Sequence, residues 1–493
     1  MCTRDGLAPG KGLLTRTLSV NVNFFSFECY KPTSRSFLVL FRQHVLTPVP
    51  IVDMTFSLPV EILEYILDLA GAFPDVTNTL SPQYPIYPEH ALPLPDIKLS
   101  TRSLCSLSLV CRQWNTICTP RLYRCLAIID STRVSALLRT LEQSQATPVV
   151  LGRTSPLGSL TRHLIVALSD SPAPENETDR FEHRVVRRFG HLGRLARCLP
   201  RLQILSISIF IREMWGLPPP YYGKDFAATV TQICATSLRK LYLHHYPFVL
   251  FSRPELRKLL EAAPNLVAIT GAAVGSLMGC PAALPYLPKL KYLVVNSEVD
   301  QCNCAGHKVH PTPSLDYVDI RPSLFSNLWM HLLSTQGAKL TSVFLDLRLV
   351  VDSEGCSHCL SMLTNFCHNL SYLEICVDSW GSFPRLDPLP PVEHLGIRVQ
   401  AGNIAVASIC ESLATISSSS LKVIHLKDAQ VIEWLASPLS DNVESAWSPL
   451  VDRTFCVVDC HGQELGPPER SSCAPKRADP RSFPAATRFR TEN

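Results

Sequence analysis

One short pattern of apolar positions recurs along most of the chain. Two apolar residues are separated by two positions, and a third follows after one further position, as in Leu202, Leu205 and Ile207. The other copies are Leu238/Leu241/Leu243, Leu290/Leu293/Val295, Leu315/Val318/Ile320, Leu340/Val343/Leu345, Leu370/Leu373/Ile375, Val392/Leu395/Ile397 and Leu421/Ile424/Leu426, with a weaker copy at Leu266. Successive copies begin 22 to 36 residues apart. The chain from Leu202 onward is therefore a loose internal repeat.

The spacing within each copy predicts a strand, because alternate side chains of a strand share one face. We expect the last two apolar positions of each triplet to point into a core, and their neighbours to face solvent on a concave side. Apolar stretches between triplets, such as Val185 to Leu199, predict helices on the convex side. These units resemble leucine-rich repeats, which share one core when stacked. We therefore predict an α/β solenoid over residues 129–460, with a generic α/β domain of parallel strands as the alternative.

A helical pattern precedes the repeat. Pro59 suits the first turn of a helix, and Ile62, Ile66 and Leu69 then recur at helical spacing. A second helix is predicted to begin after Thr101 as its N-cap and to end at Thr119-Pro120. Its apolar positions, three or four apart, are Leu104, Leu107, Cys111, Trp114 and Cys118. Residues 71–100 are rich in proline, so we predict that they form an inserted surface loop.

The two ends of this segment resemble an F-box. The stretch Leu58-Pro59-Val60-Glu61-Ile62-Leu63 matches the start of that short helical module, and Leu104 to Trp114 matches its end. The resemblance implies an all-α module over residues 54–128 that docks on the Skp adaptor and, through it, on a cullin. It implies adaptor contacts at Leu58, Pro59, Ile62, Leu63, Ile66, Leu67, Leu104, Leu107, Val110 and Trp114. The family usually needs fewer positions between the two ends, which leaves open whether the lengthened module still binds the adaptor.

The combination is similar to F-box proteins with a leucine-rich-repeat-like region, which are abundant in fungi and other eukaryotes. The resemblance implies a substrate-recruiting subunit of a Skp-cullin-F-box ubiquitin ligase that performs no catalysis itself. We expect an unidentified target protein to contact solvent-facing strand residues, namely Tyr242, His244, Tyr292, Tyr317, Phe344 and Tyr372. Two other classes remain: a repeat scaffold that the helices merely cap, without a ligase role, and a hydrolase or metal-binding domain within the repeats.

Composition indicates a folded intracellular protein. Hydrophobic residues make up 46% of the chain and charged residues 18%, and the net charge of +4 is too small to indicate a nucleic acid or a membrane as partner. Nineteen scattered cysteines favour reduced thiols, and hence the cytoplasm or nucleus. Residues 1–53 are predicted to be a disordered leader or an upstream extension of the gene model, with Met54 as the alternative start. Residues 461–493 are predicted to be a disordered tail.

Two clusters contain residue types that bind zinc. Cys302, Cys304, His307 and His310 form the first, and Cys356, His358 and Cys359, with Cys367 and His368, form the second. Neither has a standard ligand spacing, so we predict no metal and no cofactor, although the first cluster stays open. The arginines between Arg180 and Arg201 are expected to be the solvated side of a helix. The sequence contains no hydrolase, metalloprotease or kinase signature, and we expect no enzyme activity.

Overall fold

A computed structural model describes Leu63 and the following segments of the chain. They are residues 94–129, 131–146, 155–169, 190–210, 223–245, 250–271, 284–296, 312–322, 328–350, 353–380, 383–384, 386, 389–399, 406–428, 431–432, 447–450, 453–460 and 462–465. The chain divides into two compact units, residues 1–58 and 59–493, and the described residues all belong to the second. The predicted leader over residues 1–53 lies outside them.

The described part of the chain contains a parallel sheet of twelve strands that neighbour one another in sequence order. The strands are β1 (Cys125–Ile128), β2 (His163–Ser169), β3 (Ile204–Phe210), β4 (Lys240–His245), β5 (Ala268–Thr270), β6 (Tyr292–Asn296), β7 (Tyr317–Arg321), β8 (Ser342–Asp346), β9 (Tyr372–Val377), β10 (His394–Val399), β11 (Val423–Leu426) and β12 (Cys456–Val458). Each strand pairs with the next by simple repetition, whereas a doubly wound domain reverses its strand order at one point. The chain is therefore an α/β solenoid.

The predicted strand register is confirmed. Leu205, Leu241, Ile269 and Leu293 occupy neighbouring positions on β3 to β6, and the same column continues to Ile424 on β11. A second column of buried side chains lies two residues further along each strand, for example Ile207 next to Leu243. Both columns pack in one continuous hydrophobic core, which lies on what we call the core face of the sheet.

Three strands were not predicted. Strands β1 and β2 precede the first triplet, and β12 follows the last one. The sheet therefore begins at Cys125, inside the segment predicted for the helical module. At the other end, Val458 forms an antiparallel bridge with Glu464, and the amide of Leu465 donates to the carbonyl of Val457 at 2.8 Å. Ordered pairing thus extends past residue 461, where the tail was predicted to begin.

Helices connect many of the strands. Their bounds are α1 (Leu94–Ser108), α2 (Arg112–Arg124), α3 (Ser131–Ala146), α4 (Lys224–Thr229), α5 (Arg253–Glu261), α6 (Leu328–Gln336), α7 (Ser353–Phe366) and α8 (Val406–Ala414), and residues 190–197 are also helical. Local sequence explains α5 well. Ser252 and Glu255 form a capping box, in which Glu255 Oε2 accepts from the Ser252 amide at 3.1 Å. Leu256, Leu259 and Leu260 then recur on one face and enter the core.

The predicted helix from Thr101 to Thr119 is wrong in two respects. Helix α1 begins at Leu94, so Thr101 is inside it and residues 94–100 are not loop. The chain then breaks at Leu109 to Cys111 before α2 starts. Asn115 Nδ2 donates to the Ser108 carbonyl at 3.2 Å and so satisfies one acceptor at the end of α1. The apolar periodicity runs unbroken across this point, which is why it concealed the break.

Proline does not end the second helix, contrary to the prediction. Pro120 lies inside α2, which continues to Arg124. A proline here removes one backbone hydrogen bond, but the continuation lets Leu122 pack with Leu104 and Cys118 in a small core of the helical segment. The packing of these apolar side chains favours the uninterrupted helix.

The helical segment is built directly onto the sheet. Helix α2 ends at Arg124 and β1 begins at the next residue. On the other side of the sheet from the main core, Ile97 of α1 packs against Ile165 of β2, with Cys125 and Ala127 beside them. We call this side the second face. The first helix thus covers the second face at β1 and β2.

Candidate partner-binding surfaces

The predicted adaptor-contacting residues divide into three groups. Leu58, Pro59, Ile62, Ile66 and Leu67 lie outside the described residues. Leu63 and Leu104 are buried, and Leu107 and Trp114 are partly buried in the small core of the helical segment. Val110 is 65% exposed. Leu104 therefore supports the fold of the segment, whereas Val110 is available to a partner.

Two further apolar side chains accompany Val110 at the surface of this segment. Leu99 on α1 is 68% exposed, and Leu109 in the break between α1 and α2 is 57% exposed. Neither Leu109 nor Val110 belongs to the apolar stripe from Leu104 to Cys118, and both lie in the turn between the two helices. The sequence pattern did not single out Leu99 or Leu109, because Leu99 falls in the predicted loop over residues 71–100 and Leu109 is not a position of that stripe. Leu99 lies about 15 Å from Leu109 along α1, so we call the adjacent Leu109 and Val110 the apolar patch.

The second face of the sheet differs from expectation, because several residues predicted to face solvent are buried. Phe344 is fully buried, and Tyr242, His244 and Tyr317 are nearly so. Tyr292 and Tyr372 are partly buried. The binding role proposed for all six stays a prediction, but the expected exposure of the first four is wrong.

Side chains from neighbouring strands cover one another on this face. The rings of Tyr292 and Tyr317 stack with centroids 4.6 Å apart, and Phe344 and Cys376 extend the same cluster along β8 and β9. Strands in a sheet are about 4.8 Å apart, so large side chains in one column must touch. A single triplet carries no information on what its neighbour presents, and the sequence pattern therefore missed this second core.

Charged pairs lie beside the aromatic cluster. Glu374 is fully buried and accepts from Arg398 Nη2 at 2.9 Å and from Tyr372 Oη at 3.0 Å. Gly396 makes this arrangement possible, since a Cβ there would lie 2.8 Å from Tyr372 Oη and 3.0 Å from Glu374 Cγ. Two further pairs, Arg348 with Asp346 at 2.7 Å and Arg321 with Asp319 at 3.4 Å, occupy β7, β8 and the turn after β8.

Burial alters the acidity of one of these carboxyl groups. Desolvation raises the pKa of Asp319 to about 6, although Arg321 opposes the shift. The carboxyl of Asp319 is 1% exposed and its contacts to Arg321 are long, so the pair only partly compensates the lost hydration. Together these groups form a layer of paired charged side chains on the second face.

A thiol and an imidazole lie together under α1. Cys125 Sγ is 3.7 Å from His163 Nδ1, and His163 Nε2 is 2.9 Å from Ser206 Oγ. Burial raises the pKa of Cys125 to about 12 and, with Lys240 nearby, lowers that of His163 to about 3. A nucleophilic cysteine needs the thiolate, which these values disfavour at neutral pH. The geometry gives this trio a structural role.

The second cysteine cluster is not gathered into a metal-binding set. Cys356, Cys359 and Cys367 belong to the main core, and His358 is exposed with Nε2 3.4 Å from Met330 Sδ. The described residues contain no group of three or more His, Cys, Asp or Glu side chains that could hold a metal ion. The first cluster, Cys302 to His310, lies outside them.

The arginine-rich stretch is described only from residue 190 onward. Arg194 forms a bidentate ion pair with Glu142 of α3, at 2.7 and 2.8 Å, and Arg197 is exposed. Arg201 is also exposed and lies in the turn before β3. Arg194 and Arg197 accordingly lie on the solvated side of the helix, as predicted, while Leu192 and Leu195 enter the core.

Comparison with known proteins assigns the helical segment. Residues 55–129 match the F-box-like family. The match covers the described helices α1 and α2, together with the apolar patch. No curated protein matches the chain. The crystal structure of the leucine-rich repeat-containing protein LegL7 from Legionella pneumophila is similar over 56% of this chain and 81% of that chain, with 13% identity and a TM-score of 0.33.

The F-box-like segment is thus followed by an α/β solenoid of the leucine-rich-repeat type, as the sequence predicted. That fold assignment depends on the strand order and register given above. Among the helices in the described part of the chain, none is both long and apolar enough to span a lipid bilayer.

Proposed function

We propose that this chain is the substrate-recruiting subunit of a Skp-cullin-F-box ubiquitin ligase. The F-box-like segment docks on the Skp adaptor, the adaptor binds a cullin, and the solenoid holds a target protein near the conjugating enzyme. The chain itself performs no catalysis and acts in the cytoplasm or nucleus. The observation that carries the proposal is an apolar patch on a segment that matches the F-box-like family.

The apolar patch fits a docking role for an energetic reason. Each exposed leucine or valine side chain contributes about 1.5–3 kcal/mol when it is fully removed from water. Leu109 and Val110 are both more than half exposed, so most of that energy is unused within the described chain. A partner that covers the patch would gain it without disturbing the small core around Leu104 and Cys118.

The test is direct binding of the full chain to purified Skp adaptor. A fragment ending at residue 128 would separate β1 from β2, so the full chain is the proper material. The double substitution of Leu109→Ser and Val110→Ser should weaken adaptor binding at least about tenfold. It should leave the unfolding midpoint unchanged, because both side chains are exposed.

The matched control is Tyr286→Ser, since Tyr286 is 56% exposed in the segment before β6. This variant should bind the adaptor as the unchanged chain does. Absence of binding by the unchanged chain, or equal binding by the Leu109/Val110 variant, would contradict the proposed docking.

A repeat scaffold without a ligase role is the second candidate. Its supporting observation is the packing of Ile97 on Ile165, with α2 running directly into β1, which is how a capping element attaches to a solenoid. Ile97→Ala should destabilise the solenoid under either function. The two are separated by adaptor binding of the unchanged chain, which the ligase proposal requires and the scaffold alternative excludes.

A further inference from the structure

Positive side chains line the edge of the sheet at which the first six strands begin. Four strands are immediately preceded by a cation: Arg124 precedes β1, Arg162 precedes β2, Arg239 precedes β4 and Lys291 precedes β6. Two more cations lie in the turns, Arg201 two residues before Gln203 and Lys289 two residues before Lys291. We call these six residues, Arg124, Arg162, Arg201, Arg239, Lys289 and Lys291, the basic edge.

Backbone hydrogen bonds hold the basic edge in register. The amide of Arg162 donates to the carbonyl of Arg124 at 2.9 Å, and the amide of Arg239 donates to the carbonyl of Gln203 at 2.7 Å. The ladder continues through Val267 to the amide of Lys291 at 2.9 Å. Adjacent strands are about 4.8 Å apart, so the six strand starts span about 24 Å. Residues far apart in sequence therefore lie along one edge, to which every one of the first six strands except β5 contributes a cation.

The segments that form the basic edge contribute no carboxylates to it. Residues 119–124, 159–162, 199–203, 236–239, 264–267 and 288–291, which form the edge, contain no aspartate or glutamate. Arg124, Arg201 and Arg239 are exposed, and within the described chain none of the three takes part in an ion pair.

The like charges are close enough to act on one another. The guanidinium of Arg162 donates to the carbonyl of Ser159 at 2.9 Å and to that of Arg201 at 3.4 Å. Burial lowers the pKa of Arg162, and the charges of Arg201 and Arg124 lower it further. An anion bound at this point would relieve that repulsion.

The later strands do not continue the row. Before β7 the corresponding residue is Asp316, which accepts a hydrogen bond from Thr341. Before β10 it is Glu393, which forms an ion pair with Lys422 at 2.5 Å. The edge is thus basic along β1 to β6 and internally paired beyond them, so a complementary partner would lie along the first half of the solenoid, next to the F-box-like segment.

We propose that the basic edge binds an acidic segment of a partner protein in an extended conformation. Charge complementarity favours carboxylate or phosphate groups, and about seven extended residues would span the row. Single-stranded nucleic acid is disfavoured because its binding sites stack bases on aromatic side chains. In the edge-forming segments Tyr123 is aromatic, and it packs against the main core. This proposal does not depend on adaptor docking.

The experiment measures fluorescence anisotropy of labelled peptides with the full chain. An alternating Glu-Ser peptide of about ten residues should bind, and more weakly as salt rises from about 50 to about 300 mM. The matched Gln-Ser peptide should not bind. Arg201→Gln combined with Arg239→Gln should weaken binding of the acidic peptide about fivefold, as expected for two exposed ion pairs.

The control removes the same charge elsewhere. Arg253→Gln with Lys258→Gln affects exposed residues of α5 and should leave the affinity unchanged. An equal loss in this control would overturn the proposal in favour of nonspecific net-charge attraction. Equal binding of the Gln-Ser peptide, or tighter binding of an oligothymidylate of the same charge, would also overturn it.

A charge-reversal variant guards against misfolding as an explanation. Arg201→Glu with Arg239→Glu should lose affinity for the Glu-Ser peptide and gain affinity for a Lys-Ser peptide. A gain of binding cannot arise from an unfolded edge. Continued preference of this variant for the acidic peptide would show that the basic edge is not the binding surface.

Discussion

Removing Arg398 should leave a buried carboxylate without its ion-pair partner. Glu374 on β9 is fully buried, whereas the Arg398 side chain on β10 is 20% exposed, and the two are joined at 2.9 and 3.3 Å. Breaking a buried ion pair by deleting one partner typically costs about 3–5 kcal/mol. Because Tyr372 also donates to Glu374, at 3.0 Å, we expect Arg398→Met to cost about 3 kcal/mol, near the lower end of that range.

A double-mutant cycle by chemical denaturation of the full chain tests this reasoning. In the Glu374→Gln background the carboxylate is gone, and Arg398→Met should cost less than about 1 kcal/mol, giving a coupling energy of about 2 kcal/mol. Arg257→Met is the control, because Arg257 and Glu261 form an exposed pair on α5 and should contribute no more than about 0.5 kcal/mol. Equal costs of Arg398→Met in both backgrounds would refute the argument.

Three further predictions concern the core, the second face and pH. Leu373→Ala should lower the free energy of unfolding by about 2–5 kcal/mol, while Leu99→Ala, at an exposed position, should change it by less than about 0.5 kcal/mol; similar values in denaturation curves would show that the register is wrong. Gly396→Val should destabilise the fold by displacing Tyr372 from Glu374, seen as a lower thermal midpoint; an unchanged midpoint would contradict the close approach. The pKa of His163 is about 3 in the folded chain, below its unfolded value of about 6.5, so protonation of the unfolded chain should lower the free energy of unfolding by about 2 kcal/mol between pH 6.5 and pH 5. His163→Gln should flatten that part of the pH–stability curve, and an equally steep curve would count against the prediction.

The strand register was predictable because it depends on local spacing alone. A period of two places alternate residues on opposite faces, and a register shifted by one residue would expose every apolar side chain of the repeat. Leu293 and Leu373 are buried for that reason. The capping box of Ser252 and Glu255 is equally local. The paired motif ends likewise sufficed to predict the F-box resemblance, which the family match at residues 55–129 confirms.

Tertiary structure decided the features that require several strands or helices to meet. The burial of Phe344 depends on Tyr317 and Cys376 from neighbouring strands, so a solvent-facing position became part of a second core. The break at Leu109 to Cys111 divides a segment whose apolar spacing is regular, and it leaves Cys111, a position of the predicted apolar stripe, exposed. The basic edge joins residues as far apart as Arg124 and Lys291. Each is an ordinary surface cation in sequence, and only parallel stacking at about 4.8 Å per strand turns them into one charged row.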